Sequence, residues 1–570
     1  MHQIFHIIKY KLLIFINYNR IIFSNRQNLI RSLLASLIFI AFGIGTFIFS
    51  YNTIHFVIDE IKIGTFLFHR FSSILLFVLF LSISAGNIVV AYSVMFKSDE
   101  VYYLITRPIE FERLFLLKMT ESILYSSPTF LLFGSAILIG YGIYFKLSWF
   151  FYPFTILFLF LPFVFTSAFL GVLILLVIIQ LAGKIGIRWT IFSVVMIYLG
   201  SLIGFFKTIN PKDLVNEVMK YYPHLDFNFS FLDPDLLMFL PNHWFSESLF
   251  WFTKSDFAFS FKYALLINLS FVFLLIVSIL IGNKLYYRSF LISLDLKSTK
   301  EIRKSFQKIF STSTSVFDFG RKSIFDAQTE VLLKKEFHQF FRDPSQWLHL
   351  GVITFLILIF IMSIAKVDLI TTLPFLKTVT YLSVFIFNSF LISSITLRFI
   401  YPVISLEAYS FWKIKSSPLH PKKFLMIKII PYFLFTLLIA EVLNLFSHQT
   451  TSIPFTLKFY SFINIFNVAL TLSSLNFWFG SYFVTFNEKN PVKIASSQGA
   501  TIAFLFNIIY LVILVVLFLN PVNKIFSQNS GDNKITNPEL TFISLTLLLT
   551  GILVNYFSFR SGIKAIKKDY

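Results

Sequence analysis

Long apolar runs alternate with short, lysine-rich polar segments along most of the chain. A membrane-spanning helix needs about 20 mostly apolar residues. By that measure about twelve segments qualify. Six lie near 32–51, 71–96, 121–144, 149–181, 188–207 and 262–284, and six near 348–366, 376–400, 429–447, 457–486, 500–520 and 539–558. The pattern predicts an all-α integral membrane fold of about twelve transmembrane helices in two pseudo-repeated six-helix halves. The expected divisions are an interfacial helix at 1–31, a first half at 32–286, a linker at 287–328, a second interfacial helix at 329–347, a second half at 348–558 and a basic tail at 559–570.

Two of the polar breaks look like copies of one another. The first reads SDEVYYLITRPIEFERLFLLK, from Ser98 to Lys118; the second reads SLEAYSFWKIKSSPLHPKKFLMIK, from Ser405 to Lys428. Aligning Pro108 with Pro418 brings Ile109 to Leu419, Arg113 to Lys423, Leu114 to Phe424 and Lys118 to Lys428. Each opens on a serine that can cap a helix, followed by acid (Asp99 and Glu100; Glu407) that favours the positive end of the helix dipole. Bulk follows: Tyr102, Tyr103 and Leu104 in one, Phe411 and Trp412 in the other. One copy alone would read as an ordinary interfacial helix ending a span. Two copies at equivalent places point instead to docking of a soluble partner.

Composition supports the membrane reading. The chain is 56% hydrophobic and 13% charged, and its mean hydropathy is +0.78. A soluble protein of this size could not bury so much apolar surface. The net charge of +20 could mean nucleic acid, but Lys and Arg gathered in cytoplasmic loops explain it better. The N-terminal segment, both repeat loops, the linker and the tail are basic. The loops between them carry acids, among them Asp59, Glu60, Asp213, Glu217 and Glu247. Both termini are therefore expected in the cytoplasm. With no cysteine, disulfides, thiolate metal sites and a cysteine nucleophile are excluded. The ends of 329–347 are marked by helical spacing of Leu333, Phe337, Phe340 and Phe341 and by a break at Asp343-Pro344.

No G-x-x-x-x-G-K-[ST] phosphate loop, H-E-x-x-H, G-x-S-x-G or EF-hand pattern occurs in the sequence. No catalytic, cofactor or metal residues are expected. Ionisable residues inside spans are functional suspects. Glu441 is the clearest, near Asn444 and His448, and reads either as an acid reaching the outer interface or in a structural pair, or as part of a proton relay. Asn87 and Gln180 read as polar glue between helices.

The chain resembles the permease subunits of ABC-2-type exporters, in particular the fused twelve-span bacterial permeases. The resemblance rests on Leu104-Ile105-Thr106-Arg107-Pro108-Ile109 with Lys118, and on Ser405-Leu406-Glu407, Phe411-Trp412, Ser417-Pro418-Leu419 and Lys428. Phe341-Arg342-Asp343-Pro344-Ser345-Gln346-Trp347 and Leu240-Pro241-Asn242-His243-Trp244 are similar too. It implies a multi-pass subunit of a bacterial inner membrane that is not itself an enzyme. Two copies of a separate ABC ATP-binding subunit would supply ATP and Mg and move an amphipathic substrate outward. The ATPase-coupling residues would be Ser98, Asp99, Glu100, Tyr102, Tyr103, Leu104, Arg107, Pro108, Ser405, Glu407, Phe411, Trp412 and Pro418. Alternatives are a secondary transporter driven by an ion gradient and a polytopic enzyme acting on lipid. No nucleic-acid partner is expected.

Overall fold

The computed structural model describes residues 26–60, 64–208, 237–298, 326–365, 374–410, 419–450, 453–486, 490–495, 497–527 and 537–567, with isolated residues at 9, 10, 13, 17, 62 and 416. Among them every regular element is helical. Contacts divide the chain into two compact units, Met1–Ser298 and Thr299–Tyr570.

In the first unit α1 (Arg26–His55) runs into a π-helical turn, Phe56–Glu60. Then come α2 (Thr65–Phe96), a short α3 (Asp99–Ile105), α4 (Phe111–Ser126) and α5 (Pro128–Tyr144). A short stretch, Phe151–Phe154, and a π-helical turn, Thr155–Phe160, lead into α6 (Leu161–Ile185), followed by α7 (Ile187–Thr208). Helix α8 (Pro241–Thr253) and the long α9 (Phe257–Ser298) complete the unit. Helix α2 is central, packing on α4, α6 and α8, while α6 and α8 also pack on α9. A Cβ on Gly171 of α6 would lie 2.6 Å from the Ser84 carbonyl oxygen of α2, so only glycine allows this backbone approach. Asn87 donates to the Ala168 carbonyl at 2.7 Å, and Gln180 to Ser289 Oγ at 3.0 Å; both are the interhelical glue the sequence implies.

The second unit holds α10 (Ala327–Arg342), α11 (Pro344–Ala365) and α12 (Pro374–Phe399). Two 3₁₀ turns follow, Tyr401–Val403 and Ser405–Ser410, then α13 (Pro421–Thr450), α14 (Phe455–Tyr482), α15 (Pro491–Ala495), α16 (Gln498–Ser527) and α17 (Pro538–Lys567). Helix α14 is the hub, packed on α12, α13, α16 and α17. Seven described helices begin on proline, whose missing N–H costs nothing in a first turn. The break at Asp343-Pro344 stands as the sequence predicts. Asp343 Oδ1 accepts from the Ser345 N–H at 3.0 Å and from Ser345 Oγ at 2.8 Å.

Ten described helices are long and apolar enough to cross a membrane, and eleven if one bent pair counts as a span. Their outer faces carry large exposed side chains such as Phe49, Ile197, Phe273, Leu438 and Phe542, as helices in lipid do. The expected arrangement of twelve spans in two repeats is met only in part, at ten or eleven among the described residues. The third expected span bends by 54° between Phe111–Ser126 and Phe130–Tyr144, where Pro128 cannot continue the hydrogen-bond ladder. The seventh is an apolar helix, α11 (Pro344–Ala365), consistent with the expectation. Most of the expected interfacial segment 1–31 and of the linker falls outside the described residues, whereas 26–31 form the start of α1 and 287–298 the end of α9.

Candidate functional site

Lys118 has almost no room for water: it is 1% exposed. A bare ammonium in such a place is very costly, so it must be paired. Its Nζ lies 2.6 Å from Glu100 Oε2 of α3 and 2.7 Å from Glu121 Oε2, one turn further along its own helix. The short helix α3 is thereby tied to α4. Its apolar side, Val101 and Leu104, is buried, and Tyr102 donates to the Phe96 carbonyl at 3.2 Å. Asp99, Tyr103, Arg107 and Pro108 are exposed. Arg107 donates to Tyr103 Oη at 2.7 Å and stacks over its ring at 4.7 Å.

The second unit builds a larger version. Lys428, near the start of α13, is 3% exposed; its Nζ lies 2.5 Å from Glu407 Oε1 and 2.8 Å from Glu336 Oε1. Lys335 adds a second cation 2.7 Å from Glu407 Oε2. Burial works to raise the Glu407 pKa, but Lys428 and Lys335 outweigh it and hold the carboxyl below its usual value. The same helix α10 is fixed at its start by Asp326, which accepts from Lys423 Nζ at 2.6 Å. This bond and that from Thr329 draw the Asp326 pKa down. Phe340 packs on Phe399 and Tyr432, with ring centroids 5.6 and 6.2 Å away. Beside Lys428 a cavity of about 50 Å³ is lined by Glu336, Gln339, Asp343, Gln346 and Tyr432, among others, space enough for water and little else.

The serines do not act as the sequence predicts. Ser98 occupies the N-cap position of α3 but makes no side-chain cap bond. Ser405 Oγ instead accepts from the Thr485 N–H, 3.1 Å away beyond the end of α14. That contact follows from close packing: a Cβ on Gly480 would lie 2.1 Å from the Tyr401 carbonyl oxygen. The second connecting segment is 3₁₀ rather than α-helical over Ser405–Ser410. Phe411, Trp412 and Pro418 lie outside the described residues.

A separate buried cluster pins α8 to α2. Arg70, 4% exposed at its side chain, lies 2.8 Å from Glu247 Oε1 and 3.2 Å from His243 Nδ1. Asn242 Nδ2 donates to the Ser73 carbonyl and to Ser73 Oγ, both at 3.0 Å, and Trp251 Nε1 to Glu247 Oε2 at 2.9 Å. Burial, and then the Arg70 charge, push the His243 pKa down to about 3. Glu441, half-buried on α13, accepts from Asn444 Nδ2 at 3.4 Å. No group of three or more His, Cys, Asp or Glu side chains that could hold a metal ion occurs among the described residues.

Sequence reasoning missed Glu121, Glu336, Lys335 and Arg70. The available signal was the pairing of Lys118 with Lys428 in the alignment: a lysine leading into an apolar span needs carboxylates, and Glu121 stands three residues on.

No curated protein and no solved structure matches the chain. A family model described as "Putative ATP-binding cassette" matches residues 24–569. That match corrects the resemblance to ABC-2-type exporter permeases, since it assigns nearly the whole length to another family. It also overturns the reading of a permease subunit driven by a separate ATPase, the two expected ATPase partners and the expectation that the chain is not an enzyme. The cassette assignment falls on this chain itself. The family's description implies a nucleotide, yet the described residues do not fit one. They include no strand and the sequence no phosphate loop, and the buried lysines 118 and 428 are each already held by two carboxylates. By the extent of the match, the chain belongs to the family of putative ATP-binding cassette proteins.

Proposed function

We propose that this chain is a membrane-embedded ABC transport protein in which two buried lysine–carboxylate knots transmit motion. One observation carries the reading: Lys118 with Glu100, and Lys428 with Glu407, each lock a short connecting segment to the start of the next helix. An ion pair buried in this way is a poor source of net stability, because well-packed apolar residues would serve as well. Its value is in fixing one geometry. A segment clamped at its acid end to a neighbouring helix moves that helix when it moves. Ser98, Asp99, Glu100, Tyr102, Tyr103, Leu104, Arg107, Pro108, Ser405 and Glu407 are the residues through which that motion passes. Phe411, Trp412 and Pro418 join them by sequence alone.

Both knots lie on the cytoplasmic face of a bacterial inner membrane in this proposal, and both termini are cytoplasmic. Lys97, Arg107, Arg113, Lys422, Lys423, Arg560 and Lys564 support that orientation by their concentration near the knots and the C-terminus.

The test is ATP turnover by membranes from cells producing the chain, above the background of cells lacking it. Lys118→Met with Lys428→Met should reduce the increment at least tenfold. Glu100→Gln, at the more hydrated knot, should reduce it less while leaving the melting midpoint near that of the wild type. Full turnover in the doubly substituted chain would sink the proposal.

A further inference from the structure

The second unit holds a group of polar side chains that the knots do not use. Ser461 of α14 donates to Asn444 Oδ1 of α13 at 2.8 Å. Only four residues of sequence separate these two long helices, which pack on each other, so they run antiparallel. One turn back along α13 and one turn on along α14 therefore sets Glu441 level with Asn464. A third helix reaches the same level, because Asn388 Nδ2 of α12 donates to the Ala440 carbonyl at 2.9 Å. Asn388 is 2% exposed and Asn464 1%.

The oxygens of these three side chains are in surplus. Glu441 Oε1, Asn388 Oδ1 and Asn464 Oδ1 are buried and have no hydrogen-bond partner among the described residues. No described basic side chain pairs with Glu441. A carboxylate oxygen and two amide oxygens facing no donor, within a helix apolar enough to cross a membrane, cost several kcal/mol unless something positive sits between them. Hard oxygen ligands with a single negative charge suit an alkali cation rather than a transition metal.

We propose that Glu441, Asn388 and Asn464 form an intramembrane sodium-binding site, with Asn444 and Ser461 positioning the carboxylate-bearing turn of α13. Sodium is the occupant because one carboxylate neutralises one monovalent charge, and the amide oxygens replace part of its water shell. The site gives α12, α13 and α14 a shared ligand, so ion binding ties three helices together.

The experiment uses the full chain in lipid nanodiscs at pH 8, with sodium, potassium or choline chloride at equal ionic strength. Tryptophan fluorescence gives the melting midpoint, and equilibrium binding of radioactive sodium gives occupancy. Sodium should raise the midpoint saturably, and choline should not. Glu441→Gln should abolish both the shift and the binding while melting cooperatively. Asn464→Ala should weaken binding at least tenfold. Glu441→Asp, which keeps the charge, should retain weaker binding. The absence of a sodium-specific shift in the wild type, or an equal shift in Glu441→Gln, overturns the proposal. So does a midpoint that follows pH through Glu441 with no sodium effect, which would assign that place to a proton.

Discussion

Replacing Lys428 by Met is the most informative perturbation of the second knot. The methionine fills similar space but removes the charge that faces Glu407 and Glu336. Glu407 is 2% exposed at its side chain and Glu336 10%, so water cannot take the lysine's place. Breaking a buried ion pair from one side costs about 3–5 kcal/mol. Glu407 keeps Lys335, at 2.7 Å, which argues for the lower end of that range. At about 2 °C per kcal/mol for a unit of this size, the melting midpoint should fall by about 6 °C. Lys118→Met should cost less, about 1–3 kcal/mol, because its partner Glu100 is 40% exposed and can hydrate. Adding Glu407→Gln and Glu336→Gln to Lys428→Met should restore part of the loss, since it removes the stranded charges. The assay is tryptophan fluorescence on heating the purified chain in nanodiscs. A fall of under about 2 °C for Lys428→Met, or a larger fall for Lys118→Met, would refute the reasoning.

Acidification should weaken the molecule in two separate windows. His243, whose pKa is held down to about 3, stays neutral in the fold while its unfolded counterpart takes a proton near the ordinary histidine value. Stability should therefore drop as pH falls below about 6.5, and His243→Gln should flatten that limb of a melting-versus-pH curve. Glu407, also held low, contributes stability that is complete above the ordinary carboxylate value and lost below it; Glu407→Gln should remove only the acid limb, under about pH 4.5. Gly480→Leu should disrupt the second unit, because the Tyr401 carbonyl occupies the space its side chain needs; cooperative melting at the wild-type midpoint would contradict this. The chain lacks cysteine, so single substitutions can report orientation. Arg107→Cys should react with an impermeant maleimide only after cells are opened, and Trp149→Cys, at an exposed residue 81% accessible, in intact cells.

The helices were legible because apolar runs and prolines act locally: Pro128, Pro344, Pro374 and Pro421 each open one. The correspondence of Lys118 with Lys428 was legible as spacing. What it does was not, since Glu336 and Lys428 are 92 positions apart and meet only when α10 folds over α13. Arg70 follows the acids Asp59 and Glu60 closely in sequence. In the fold it belongs to α2, and its partner Glu247 is 177 positions away by number (247 − 70). The serines misled because a helix-capping pattern says nothing of tertiary neighbours such as Thr485. The permease resemblance rested on short patches around Pro108, Pro241, Pro344 and Pro418. Two of those patches mark helix starts, at Pro241 and Pro344, whereas the family match draws on residues 24–569.

The most direct test of the central claim places a spin label on Tyr103→Cys, on the exposed side of α3 opposite its buried anchors Val101 and Leu104. Its mobility is read in nanodiscs with and without ATP and magnesium. If the knots transmit motion, nucleotide changes the spectrum of the otherwise wild-type chain, and Lys118→Met abolishes that change. An identical spectrum with and without nucleotide, from a sample that turns over ATP, would contradict the account.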